Sequence, residues 1–260
     1  MKAKLHSLDG ASAKSVELPH QFEEDVREEI IKRAALSDES KSYQPQGNFY
    51  LAGLQTSARY RGRKDDYGSL KNKGQARLPR EVRPKGSWGK VRRIPSSVGG
   101  HRSHPPKVGK ILIERVNKKE YQKALRSALA ATTKADLAKA RGHIFDCELP
   151  LVFDNKLESL SKTKEVLSAI EKFAGRDLER ARESRKARSG VRSRKAGTRT
   201  GKSILLVVGG GNILKAGRNI PGVDVVQADK LRVKDLAPGT HPGRLTLYTE
   251  NALKKISEVC

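Results

Sequence analysis

The chain has 260 residues of which 36% are hydrophobic, enough for one moderate core. Its 54 Lys and Arg against 29 Asp and Glu leave a formal charge of +25, far beyond what solubility requires and pointing to a polyanionic partner. A bilayer partner fits poorly, because the longest apolar run, Ile204 to Val208, falls far short of the ~20 residues a membrane span needs.

In chain order, LHSLDGASAKSVELP predicts two short strands about an Asp9-Gly10 turn, and Phe22 to Leu36 a helix with an acidic first turn, Glu23 to Asp25. MKAKLHSLDG lacks the apolar stretch of a secretory signal, so an intracellular protein with two unpaired thiols, Cys147 and Cys260, is expected. Residues 59–110 show no sustained period of 2 or 3.6, and their glycines and prolines forbid a long helix or central strand. NKKEYQKALRSALAATTKADLAKARG is helical, with Tyr121, Leu125, Ala128, Leu129 and Thr132 at helix spacing. LPLVF then suggests a buried strand, and TKEVLSAIEKFAG a helix with Val166, Leu167 and Ile170 inward and Gly175 as its stop. SILLVV, VDVVQ and RLTLYT add three strands. Strands alternating with helices imply an α/β body, residues 1–58 and 111–260, with a largely parallel sheet covered by helices and a long extended internal basic loop, 59–110.

The charge is concentrated. Residues 59–110 carry 16 cationic and 3 acidic side chains, and 176–202 carry 11 and 3, whereas 1–40 are net acidic. A segment as polar as 59–110 cannot bury enough surface to offset its ordering entropy alone, so it is disordered or ordered by a partner. A merely solubilising tail belongs at a terminus, and this segment is internal. Arg59, Arg61, Arg63, Lys64, Lys85, Lys90, Arg92, Arg93, Arg102 and Lys107 suit phosphates, while Tyr60, Tyr67 and Trp88 can stack on unpaired bases, which points to RNA. The second segment begins as a helix and ends as a glycine-punctuated loop whose Arg188, Arg192, Arg194, Lys195 and Arg199 are further RNA contacts.

GTRTGKSILLVVGGG, residues 197–211, superficially offers a nucleotide site, and with it an NTPase or nucleotide-dependent RNA-modifying enzyme. A phosphate-binding loop needs four residues between its first glycine and Gly-Lys-Ser, but Gly197 and Gly201 are separated by three. It should also leave a strand and enter a helix, whereas Lys202-Ser203 enters a strand. The dinucleotide spacing fails as well, since Leu214 stands where the third glycine belongs. A tight strand-to-helix turn explains Gly209 to Gly211 without a ligand. Asp65-Asp66, the one adjacent carboxylate pair considered for acid/base work, is expected to balance local repulsion or fold back onto arginines. No histidine pairs with cysteine at zinc spacing, and no metal or cofactor is expected.

KGQARLPR, GHRSHPPK, RSALAATTKADLA, RGHIFDCELPLV and ADKLRVKDLAPGTHPGRLTLYTENALKKI, in this order along the chain, together resemble the universal large-subunit ribosomal protein L4 family in its archaeal and eukaryotic branch. The resemblance implies a non-enzymatic, cytoplasmic, ribosome-bound protein whose α/β body binds large-subunit rRNA and supports assembly. It also implies that the long loop threads the rRNA and, beside another ribosomal protein's loop, lines the narrowest part of the nascent-peptide exit tunnel. The glycine-rich tip of the family pattern falls on LKNKGQAR, placing Lys71, Lys73, Gly74, Gln75 and Arg77 at the tunnel.

Overall fold

The computed structural model describes residues 1–8, 10, 12–83, 88–190 and 197–259, with Ser12, Ala13, Trp88 and Val259 described by their backbone alone. In chain order the elements are β1 (Lys2–His6), β2 (Ser12–Glu17), α1 (Glu28–Ser40), β3 (Arg80–Val82), β4 (Trp88–Val91), α2 (Lys118–Ala131), α3 (Ala135–Ala140), β5 (Leu151–Phe153) and α4 (Thr163–Glu183). There follow β6 (Lys186–Ala187), β7 (Thr198–Arg199), β8 (Leu205–Val208), α5 (Ile213–Ala216), β9 (Asp224–Gln227), α6 (Val233–Leu236), β10 (Thr246–Thr249) and α7 (Glu250–Val259). Two units separate by packing: Met1–Ser42 with Ile113–Cys260, and Tyr43–Leu112. The second therefore begins ahead of the limit expected at residue 59.

The first unit is built on a six-stranded sheet ordered β2-β1-β5-β10-β8-β9, antiparallel only at β1–β2. Successive residues of a strand face opposite sides, so a strand covered on both faces must be apolar throughout. That is why ILLVV carries no polar interruption. Leu205 and Val207 pack with α1, α2, α6 and α7 on one face; Leu206 and Val208 pack with α4 and α5 on the other. β10 splits likewise, Tyr248 to the first face and Leu247 to the second. No helix among the described residues is long and apolar enough to cross a membrane.

Two helix limits differ from expectation. Residues His20–Glu23 form a short 3-10 turn, the chain then runs extended, and α1 starts only at Glu28. Phe22 is buried edge-on against Tyr248, and the backbone of residues 25 to 27 bonds to α2 instead of to a helix of its own: Ser127 Oγ accepts from Arg27 N–H at 2.7 Å and donates to the Asp25 carbonyl at 2.8 Å. The helix predicted to stop at Gly175 continues to Glu183 after a kink at Ala174, whose φ −143°, ψ 36° is non-helical. Beyond the kink Asp177, Leu178 and Ala181 are buried, and their burial outweighs the glycine.

Within Tyr43–Leu112, Ala58 and Leu70 are the only buried hydrophobic side chains among the described residues, which agrees with the poverty of apolar residues read from the sequence. Backbone closeness takes the place of a core. Gly53 has φ +77°, and a Cβ there would lie 2.4 Å from the Gly100 carbonyl oxygen, so two turns of the unit meet where only glycine fits. β3 and β4 pair antiparallel, and Arg59 exchanges backbone hydrogen bonds with Arg80.

Candidate nucleic-acid interface

In the Tyr43–Leu112 unit, hydrogen bonding sorts the candidate cations into two groups. Arg61 donates to the Tyr67 carbonyl, and Arg92 donates to Glu81 Oε1 at 2.9 Å and to the Val98 carbonyl at 2.6 Å. These two guanidiniums hold turns of their own chain. Arg59, Arg63, Lys64, Lys90, Arg93, Arg102 and Lys107 are exposed, and Arg93 makes only a long 3.4 Å bond to the Ala58 carbonyl. Tyr60 and Tyr67 are exposed too, so their ring faces can stack. Asp65 and Asp66 are exposed, and neither forms an ion pair among the described residues, so of the two expected roles the folding back onto arginines is not seen there. Lys85 lies outside the described residues.

Residues Lys71 to Arg77, including Lys73, Gly74 and Gln75, are all exposed. Hydrogen bonds flank them: Leu70 N–H donates to the Arg61 carbonyl, and Arg80 pairs with Arg59. The sequence reading missed the first limb of this unit, where Tyr43, Phe49 and Tyr50 are exposed, Tyr50 at 88%. A cleft of about 1030 Å³ in the unit is lined by Tyr43, Gln44, Arg102, His104, Lys107 and Lys110, among others. Aromatics beside glycine and proline in QPQGNFYLAG were the available signal.

In the other unit the second basic segment leaves α4 as a ribbon, with β6 pairing antiparallel to β7, Lys186 opposite Arg199. Arg188 and Arg199 are exposed, with no ion-pair partner among the described residues. Arg192, Arg194 and Lys195 lie outside those residues.

In the glycine-rich stretch both backbone polar groups of Gly209 are occupied by its own chain. Gly209 N–H donates to Glu158 Oε1 at 2.8 Å, the same carboxylate accepts from Thr249 Oγ1 at 2.5 Å and Asn251 Nδ2 at 3.3 Å, and Lys255 Nζ donates to the Gly209 carbonyl. A carboxylate thus sits where a phosphate would have to. Gly211, at φ +98°, would place a Cβ 2.4 Å from the Glu158 carbonyl oxygen. Gly211→Ala should cost about 1–3 kcal/mol through left-handed strain and this clash, read as a lowered thermal midpoint. Lys202 is tied to both oxygens of Asp224 at 2.7 and 2.8 Å. We expect no saturable ATP or GTP heat in calorimetry, with Lys202→Ala changing nothing in that measurement; micromolar binding would overturn this.

Behind Lys202 lies a buried polar network the sequence did not announce. Arg244, 1% exposed, donates to the carbonyls of Ser203, Asp235 and Ile204 and to Asp224 Oδ2 at 2.6 Å. Burial depresses the Arg244 guanidinium, and the facing carboxylates of Asp224 and Asp235 oppose that. Asp177 accepts from His143 Nδ1 at 3.1 Å, Ile144 N–H at 3.2 Å, Ser203 Oγ and Arg180 Nε at 3.0 Å. Burial alone would raise Asp177, but hydrogen bonds from His143, Ser203 and Arg180 outweigh it and hold the carboxyl at about 2. Ser203, His143 and Asp177 have the composition of a nucleophile triad with the wrong connections. The serine hydroxyl bonds the carboxylate instead of the imidazole, and all three side chains are buried.

Over residues 16–259 the chain matches the model of the ribosomal protein L4/L1 family. It is 46% identical over 264 residues to a protein of Methanocaldococcus jannaschii and 42% identical over 259 residues to one of Methanoculleus marisnigri, both named large ribosomal subunit protein uL4, with 99% of each chain covered in both cases. A protein of the same name from Archaeoglobus fulgidus is 43% identical at the same coverage. With an α/β body on a mostly parallel sheet, a separate basic unit and end-to-end similarity to these relatives, the chain belongs to the ribosomal protein L4/L1 family.

Proposed function

We propose that the chain is a structural constituent of the large ribosomal subunit that binds its rRNA, supports assembly and acts without catalysis. The observation that carries this is the similarity over 99% of both chains to relatives named large ribosomal subunit protein uL4. The physics agrees: exposed cations gather on the Tyr43–Leu112 unit and on the β6–β7 ribbon, and phosphate neutralisation is what such surfaces do. Arg59, Arg63, Lys64, Lys90, Arg93, Arg102, Lys107, Arg188 and Arg199 grip phosphates, while Arg61 and Arg92 shape the loop that presents them. The segment Lys71 to Arg77 faces the nascent peptide in the exit tunnel, beside a loop of a neighbouring ribosomal protein.

Sedimentation of cell lysate at high salt tests the assignment. The chain should travel stoichiometrically with large subunits, and a free pool carrying most of it would overturn the proposal.

A further inference from the structure

Open α/β sheets bind ligands beyond the carboxyl ends of their strands. Here that end is closed, because Glu158, Thr249, Asn251 and Lys255 fill the turn after β8. The amino ends are open instead. A cleft of about 950 Å³ lies where the chain enters β8, β9 and β10, and is lined among others by Arg180, Arg188, Arg199, Thr200, Lys202 and Arg141.

Its charges are arranged asymmetrically. Lys202 is consumed by Asp224, and Arg141 donates both Nη groups to the carbonyls of His241 and Pro238. Glu28 and Glu39 of α1 also line the cleft and repel anions from that side. Arg180 is different. Buried Asp177 holds it through Nε at 3.0 Å and Nη2 at 2.9 Å, Nη2 also reaches the Lys202 carbonyl, and Nη1 has no hydrogen-bond partner among the described residues. A guanidinium whose rotamer is locked from behind loses little entropy when its open edge meets an anion. Arg188 and Arg199 add exposed charge, and Thr198 and Thr200 add hydroxyl donors.

We propose that this cleft at the amino ends of β8, β9 and β10 seats RNA backbone phosphates, with Arg180 as a fixed donor, Arg199 and Arg188 as the ribbon's contribution, and Asp177 as the positioning residue for Arg180. The inference rests on the RNA-binding reading of the ribbon and adds a body wall to it. Several cations around one concave site favour a phosphodiester chain over a single small anion.

The test uses the full chain and large-subunit rRNA transcripts, measuring log affinity against log salt for Arg180→Gln, Arg199→Gln, Thr200→Glu and the loop control Arg63→Gln. Arg180→Gln and Arg199→Gln should each flatten the slope by about 0.7–0.9, and Thr200→Glu should weaken binding at every salt concentration. If Arg199→Gln flattens the slope while Arg180→Gln and Thr200→Glu change nothing, the RNA grips the ribbon alone and the cleft proposal falls, although the RNA reading stands. If only the loop control responds, ribbon and cleft both fall. If the unaltered chain shows no salt-dependent RNA binding, the underlying reading fails first. Polyglutamate displacing the RNA from the unaltered chain but not from Arg180→Gln would assign the cleft to acidic peptide and overturn the proposal. Should Arg180→Gln fail to fold by circular dichroism, Thr200→Glu decides.

Discussion

Replacing Arg63, Lys64, Lys90, Arg93, Arg102 and Lys107 with glutamine should prevent incorporation into large subunits, whereas deleting Lys71 to Arg77 should leave incorporation intact and alter the pausing of nascent peptides. The six side chains are exposed, so if each neutralises one phosphate, their loss lowers the salt slope by about four to five units. Contacts in such numbers are worth several orders of magnitude in affinity at moderate salt. The apex contributes less to anchoring, and the bonds that close the loop lie outside the deleted segment: Leu70 to Arg61, and Arg80 to Arg59. Ribosome profiles and stalling-peptide translation on both variants check this. An apex deletion that blocks assembly, with the six-residue variant assembling normally, would reverse the assignment.

Arg244→Ala should destabilise the protein more than any surface substitution. It removes one guanidinium and leaves the carbonyls of Ser203, Ile204 and Asp235 and the carboxylate of Asp224 with lost donors in the interior. Breaking a buried pair by removing one partner costs about 3–5 kcal/mol. At ~2–4 °C per kcal/mol for a chain of this size, the thermal midpoint should fall by about 6–20 °C. The same network sets the acid limb of stability. Asp177 is held at about 2 against an ordinary 3.8, so its contribution is fully present above about pH 4 and is lost as pH falls toward 2. Asp224 is lowered too: burial opposes the shift, and the charge of Arg244 with the Lys202 ion pair outweighs it. Asp177→Asn should therefore be less stable at neutral pH, with a flatter loss of stability between pH 4 and 2 than the unaltered chain. Denaturant titrations across that range measure both effects.

The sequence by itself determined the layering and the location of the charge. ILLVV could only be a strand covered on both faces, and two segments hold most of the excess cations, because burial and charge are properties of the residues wherever they fold. The failed spacing of GTRTGKS was equally local, and the carboxylate of Glu158 in the glycine turn supplies its structural counterpart. Tertiary structure alone decided which cations remain available. Arg61 and Arg92 read like Arg63 and Arg93 in a list, yet the first pair are bound by carbonyls and a carboxylate of their own unit. Arg244 and Asp177 are buried hubs that no local pattern marks, since their partners lie from 3 to 41 positions away along the chain. The helix expected from Phe22 starts only at Glu28 for the same reason, the backbone of Asp25 and Arg27 having bonded to Ser127, about a hundred residues on. Local pattern carries burial and charge; the pairing of polar groups depends on distant chain segments meeting, and that is settled only when the sheet assembles.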